Sequence, residues 1–175
     1  MRIPIESSTS YRGRNSRPNW LVLLAFVALV FAAGGFGAVF SPAFSPSNAL
    51  WYAALAKPAW TPPNQVFAPA WTAQYLAMGI AVWIVWSERY HRGRNRALLA
   101  FAVQLLLNAL WAPLFFGARS TGLGLLLVVA LLLALIWTVR EFISVRLVPA
   151  CLMLPCIAWV SFALALNLAI WRQNP

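Results

Sequence analysis

Apolar residues fall in five long blocks separated by polar links. Residues 20–40 run 21 positions without a charge, 70–86 run 17, 97–116 run 20, 122–139 run 18 and 147–171 run 25. A helix of about 17–25 apolar residues crosses a hydrocarbon core about 30 Å thick, and helices satisfy their own backbone there. The pattern predicts an all-α membrane protein, a bundle of five transmembrane helices at about 20–40, 70–87, 97–116, 122–140 and 147–171 within one domain, 20–174. A secretory signal peptide is the alternative for the first block, but such a peptide has an apolar core of only about 7–15 residues.

The links are uneven. Those after the second, third and fourth blocks are short, and short links favour antiparallel neighbours. The first, 41–69, holds 29 residues, including Trp51, Tyr52, Leu55, Trp60 and Phe67. Loops this long are usually functional or disordered, and this one is too apolar to lie free in water. Asn48 is placed to cap a short helix over 49–56, with Trp51 and Leu55 on one side. Pro58, Pro62 and Pro63 make the following stretch extended and stiff. The segment reads as a long, partly helical lid over one end of the bundle.

Polar positions inside the blocks are periodic. Gln104, Asn108, Trp111 and Phe115 share one helical face. Trp159, Ala163, Leu166, Asn167 and Ile170 share another, and Trp71, Gln74, Tyr75 and Met78 a third. A carboxamide facing lipid lacks partners, so Gln104, Asn108 and Asn167 are expected to point into the bundle. Three such faces beneath an aromatic loop predict a cavity with flat aromatic walls, a few amide groups and a lid carrying Trp51 and Trp60. This suits a large, flat, mostly apolar ligand. The competing reading is that these amides and indoles only pack neighbouring helices together. Gly34, Gly35 and Gly37 read as close-packing positions.

Composition agrees with a membrane protein. Hydrophobic residues make up 62% of the chain and charged residues 9%, where a soluble domain carries about 25% charged. The net charge is +10, with no Asp and only Glu6, Glu88 and Glu141 as acids. The positive charges are sorted. Arg2, Arg12, Arg14 and Arg17 precede the first block; Arg89, Arg92, Arg94 and Arg96 follow the second; Arg140 and Arg146 follow the fourth. The other side has Lys57, Arg119 and Arg172. Ten against three is a positive-inside signal. It places the N-terminus in the cytoplasm and the C-terminus outside if the membrane is a bacterial cell membrane. The basic excess therefore describes orientation and contact with the lipid bilayer; no basic folded face exists for nucleic acid. Residues 1–19 read as a solvated basic tail, with an organelle transit peptide as the alternative. Trp20, Trp83, Trp86, Trp137 and Trp171 lie at or near helix ends, where aromatic belts form.

Several chemistries lack their residues. His91 is the one His and lies in a charged link, Cys151 and Cys156 do not share a helical face, and no metal site can be assembled. Met78 is the lone candidate haem ligand near the predicted cavity, so a bound tetrapyrrole need not contain iron; no cofactor is implied. There is no triad and no acid in mid-membrane for a proton relay. Binding is the best-supported activity.

At these residues the chain resembles the TspO family, the translocator proteins also called peripheral-type benzodiazepine receptors. The lid reads Trp51-Tyr52-x-x-Leu55-x-Lys57-Pro58-x-Trp60-x-Pro62-Pro63 and continues as Phe67-x-Pro69-x-Trp71-Thr72-x-x-Tyr75-x-x-Met78-Gly79. The third block carries Gln104-Leu105-x-Leu107-Asn108-x-x-Trp111-x-Pro113-x-Phe115-Phe116-Gly117-x-Arg119. The fifth carries Pro155-x-x-Ala158-Trp159-x-x-Phe162-Ala163-x-x-Leu166-Asn167. The resemblance implies a five-helix bundle that binds porphyrins, sterols and synthetic isoquinolines or benzodiazepines, in many members as a homodimer. Family binding residues match Trp71, Asn108, Trp111, Trp159, Ala163, Leu166 and Asn167. For some bacterial members it implies light-dependent breakdown of protoporphyrin, with tryptophans matching Trp71 and Trp159.

Two departures bear on the ligand. Cys156 stands where the family usually has Tyr after the proline. The stretch Leu168-Ala169-Ile170-Trp171-Arg172 lacks the Tyr of the proposed sterol motif, while Val85, Tyr90 and Arg92 fit only its loose form. The expectation is a membrane tetrapyrrole-binding protein acting as sensor, carrier or scavenger, with Trp51, Trp60, Trp71, Tyr75, Asn108, Trp111, Trp159, Ala163, Leu166 and Asn167 at the site. The alternatives are a light-dependent porphyrin-degrading enzyme and a ligand-free structural or partner-binding membrane protein.

Overall fold

Each apolar block is the middle of a helix whose ends reach into the polar links. The computed structural model describes residues 19–174, so the basic tail expected over residues 1–19 lies, apart from Asn19, outside the described residues. The helices are α1 (Trp20–Ala38), α2 (Pro46–Ala54), α3 (Asn64–Ser87), α4 (Arg94–Ala112), α5 (Thr121–Val145) and α6 (Leu147–Gln173), with a π-helical turn, Pro113–Gly117, extending α4. Five of them are long and apolar enough to cross a membrane, and no strand occurs among the described residues. Leu21, Leu24, Leu126 and Leu133 are each more than 60% exposed around the outside. A surface this apolar belongs in lipid rather than water.

The starts and stops differ from the apolar blocks for local reasons. α1 is capped by Asn19, whose Oδ1 accepts from the Val22 N–H at 3.4 Å. α5 is capped by Ser120, whose Oγ accepts from the Leu123 N–H at 3.2 Å. α3 begins six residues before the expected position and runs through Pro69. A proline this near a helix start forfeits one backbone bond, a smaller disturbance than in mid-helix. α2 starts at Pro46, not after Asn48: Ser45 is at the N-cap and proline fills the first turn, where its missing N–H costs nothing. Asn48 is instead buried inside α2, where its Nδ2 donates to the Phe40 carbonyl at 2.9 Å.

α1 packs on α3 and α4, α3 on α6, α6 on α5 and α5 on α4, which closes a ring of five helices. Small residues set the closest approaches. A Cβ on Gly79 would lie 2.9 Å from Val27 Cγ2 and 3.0 Å from Val27 Cα, so glycine there lets α3 reach the α1 backbone. Gly34 lies against the ring of Tyr75 and Gly37 against α4, whereas Gly35 faces open space. The core below the aromatic end is Val30, Met78, Val82, Phe101, Leu135, Phe142 and Met153, all nearly inaccessible. The opposite end carries the arginines: Arg96 pairs with Glu141 at 2.9 Å and Arg146 with Glu88 at 3.2 Å. The guanidiniums of Arg89 and Arg94 lie 5.2 and 5.6 Å from the Trp86 ring.

Candidate ligand-binding site

The site builds outward from Tyr75 in α3. Its hydroxyl donates to Asn108 Oδ1 at 3.1 Å, tying α3 to α4. Its ring lies in the notch left by Gly34 of α1. Trp71, one turn earlier on the same face, stacks on that ring at 5.6 Å and 24°. Trp159 of α6 meets Trp71 edge-on at 6.5 Å and 84°. The helical spacing that brought Trp71 and Tyr75 onto one face thus supplies a stacked pair, and α6 supplies the ring that crosses it.

A second group lies under the lid. Trp111 stacks on Phe115 at 5.2 Å and 13°, and Trp51 of α2 meets Phe115 edge-on at 5.6 Å. Tyr52 meets Phe116 at 5.5 Å. Leu166 and Ile170 of α6 are buried in the same cluster. The π-helical turn shapes this corner: the Ala118 N–H bonds the Pro113 carbonyl at 2.9 Å across five residues. Pro113 cannot donate, and the wider turn accommodates it. Trp60 joins the first group instead, 5.8 Å from Phe162, which is in turn 5.7 Å from Trp159. Trp60 itself remains half exposed.

Asn167 and Ala163 are joined directly: Asn167 Nδ2 donates to the Ala163 carbonyl at 2.8 Å. The amides expected to face inward, Gln104, Asn108 and Asn167, are all buried. Asn167 Oδ1, Trp111 Nε1, Gln74 Oε1 and Gln104 Oε1 have no hydrogen-bond partner. Buried polar atoms left unpaired cost about 1–3 kcal/mol each; Asn167, Trp111 and Gln74 lie toward the lid end, while Gln104 lies deeper in the core and Trp83 Nε1, also unpaired, lies toward the arginine end. Met78 is fully buried in the core, and its sulfur takes the Gln104 Nε2–H at 3.7 Å. That contact gives it a packing role.

The sequence reading put an open cavity between these faces. In the structure the rings close on one another; a cleft of about 440 Å³ lies beside them and another of about 450 Å³ lies elsewhere in the bundle. The first, between α3 and α6, is lined by Ala70, Ala73, Gln74, Pro155, Ala158, Trp159 and Phe162. The second lies along α1, α3 and α4.

Three contributors were not singled out from sequence. Lys57 Nζ donates to the carbonyls of Tyr52 at 2.6 Å, Leu55 at 3.0 Å and Ala53 at 3.4 Å, and lies 4.6 Å from the Tyr52 ring centre. A cation just past a helix end is a known partner for the last carbonyls, so its position after α2 was a readable signal. Burial pushes the Tyr52 phenol above its ordinary range. Asn174 grips the lid at Ala56 through two bonds, accepting from its N–H at 3.0 Å and donating to its carbonyl at 2.9 Å. Phe162 lies one turn from Trp159 and links it to the lid.

The family model described as TspO/MBR family matches residues 26–172. The chain is 39% identical over 156 residues to "Tryptophan-rich protein TspO" of Archaeoglobus fulgidus, covering 89% of this chain and 99% of that protein. It is 38% identical over 156 residues to "Protein CrtK" of Rhodobacter capsulatus, covering 89% and 93%. It is 37% identical over 164 residues to "Translocator protein" of Sus scrofa, covering 90% and 92%.

Proposed function

The chain belongs to the TspO/MBR family, and from that premise we propose that it binds a tetrapyrrole or a similar flat apolar molecule at its lid end, as sensor, carrier or scavenger. The observation that carries this reading is the array of Trp71 stacked on Tyr75, Tyr75 bonded to Asn108, and Trp159 crossing Trp71 edge-on. Flat aromatic faces bind a macrocycle by stacking and apolar burial. Trp71 and Trp159 stack on the ligand, and the unpaired Asn167 Oδ1 and Trp111 Nε1 meet its polar edge. Ala163 and Leu166 form the apolar wall on α6, while Trp51 and Trp60 close the lid.

Charge favours a porphyrin over a sterol. Lys57, Arg119 and Arg172 surround the lid end, while both described acids, Glu88 and Glu141, pair with arginines at the other end. A positive rim suits the carboxylate edge of a porphyrin. The positive-inside distribution supports a lid and C-terminus outside the cytoplasm. The test is titration with protoporphyrin IX in lipid nanodiscs, followed by tryptophan quenching. Saturable quenching is expected, and replacing Trp71 and Trp159 together by Phe should weaken binding by about tenfold or more. Unchanged affinity in that double variant removes the site.

One contact favours a second reading. Trp71 and Trp159 meet each other, so a photoexcited porphyrin seated there has two adjoining indoles as redox partners. Light-dependent breakdown of the porphyrin then follows binding. A bound complex that keeps its absorption spectrum under steady illumination in air rules this out.

A further inference from the structure

We propose that the cleft between α3 and α6 is the passage by which the ligand reaches the aromatic site from within the bilayer. This rests on the reading of a flat apolar ligand at Trp71 and Trp159. The cleft, about 440 Å³, is walled by Ala70, Ala73 and Gln74 on α3 and by Pro155, Ala158 and Trp159 on α6. Ala73, Pro155 and Ala158 are exposed, as are Leu76 and Leu154 beside them. In a membrane that exposure is to lipid chains, so the cleft opens sideways into the hydrocarbon.

The indole of Trp159 is shared between the cleft and the aromatic site. That ring lines the cleft and also touches Trp71 and Phe67. Rotation of one side chain therefore joins the cleft to the site. Each flanking helix also lacks one backbone hydrogen bond near the cleft. Pro155, within α6, gives no N–H to the carbonyl of Cys151, and Pro69, just before Ala70 in α3, gives none to Gln65. Proline is where helices most readily bend, and of the two Pro155, in mid-helix and lining the cleft, is the larger disturbance. With three alanines along the wall, little side-chain bulk has to move.

Gln74 supplies an independent sign of a visitor. It is 5% exposed and lines the cleft; its Nε2 donates to the Ala70 carbonyl at 3.2 Å, while its Oε1 has no partner. A buried acceptor beside an apolar cleft is matched by a donor carried on an apolar body, such as the protonated carboxyl of a porphyrin side chain, which a lipid chain lacks. The water-side route is, by contrast, fastened: the Ala56–Asn174 pair of hydrogen bonds and the Trp60–Phe162 contact hold the lid down.

The test uses the full chain in lipid nanodiscs, with protoporphyrin IX delivered from donor vesicles and quenching followed by stopped flow. Filling the cleft with Ala73→Leu and Ala158→Leu should slow association and dissociation together by about tenfold, leaving the equilibrium affinity within about threefold, as for a gate. The single Ala158→Leu variant carries the same test should the double variant unfold at a lower temperature. Loosening the lid with Asn174→Ala should leave the association rate at the parent value. Unslowed association in the filled variants overturns the passage, as does faster association in Asn174→Ala. Lost affinity without slower dissociation also overturns it, making the cleft a binding subsite. Absence of quenching in the parent chain removes the binding reading and the passage with it; normal quenching with unslowed variants removes the passage alone.

Discussion

Tyr75 makes three contacts that no other side chain at the lid end combines: a face against α1 at Gly34, a stack with Trp71 and a hydrogen bond to Asn108. A Cβ on Gly34 would clash with the Tyr75 ring, whereas one on Gly35 meets nothing within 4 Å. The two adjacent glycines thus form a controlled comparison. Gly34→Ala should push the ring off its stack, destabilise the protein by the roughly 1–3 kcal/mol typical of overpacking and weaken protoporphyrin binding. Gly35→Ala should leave binding alone and raise stability by up to about 1 kcal/mol, since alanine is the better helix former. Thermal unfolding and the quenching titration read both; equal effects of the two substitutions would contradict the notch. Helical spacing alone placed Trp71 and Tyr75 on one face. It could not pair Tyr75 with Asn108, because that bond joins separate blocks 33 residues apart. Nor could it tell Gly34 from Gly35, because which glycine faces α3 is settled by how the two helices roll against each other.

Among the elements, α2 depends most on a single side chain. It has nine residues and one apolar side against Phe115 and Phe116, and a helix this short is marginal without tertiary support. Its last carbonyls are bonded by Lys57, whose ammonium also lies by the Tyr52 ring. Lys57→Met keeps the apolar stem and removes the charge. It should speed amide exchange over residues 50–56 by about three- to tenfold, the kinetic equivalent of losing a cap of about 1 kcal/mol. Exchange in α5 should not change. An unaltered lid would show that the aromatic contacts hold it without the cap. The elements also show what an apolar pattern registers. It found the five spans because lipid demands long apolar stretches. It missed the first turn of α4, where Arg94 and Arg96 are helical ahead of the apolar block, and the last turn of α5, where Glu141 to Val145 continue the helix past the expected end at 140. Backbone hydrogen bonding continues past the edge of the apolar block, and hydropathy does not report it. The π-helical turn at Pro113 was likewise hidden, since a proline in sequence signals a disturbance and not which of several geometries absorbs it.

For the whole molecule, the proposed orientation rests on the distribution of charge. Among the described residues, six arginines occupy the end away from the lid, and Lys57, Arg119 and Arg172 the lid end. The ion pairs Arg96–Glu141 and Arg146–Glu88 are largely exposed on the arginine side, and such pairs contribute only about 0–1 kcal/mol. Their arginines still count toward orientation, because the rule follows Lys and Arg rather than net charge. Orientation also decides which pool of ligand the lid faces. Single cysteines at Arg92 and Ala59, in a Cys151→Ala background with Cys156 left buried in the core, separate the two ends. A membrane-impermeant maleimide applied to intact cells should label Ala59→Cys and leave Arg92→Cys unmodified until the membrane is opened. The reverse pattern would put the aromatic lid in the cytoplasm and make its exchange partner a cytosolic pool. The α3–α6 cleft would still open to the same hydrocarbon, so entry and release through it do not depend on which way the chain is oriented.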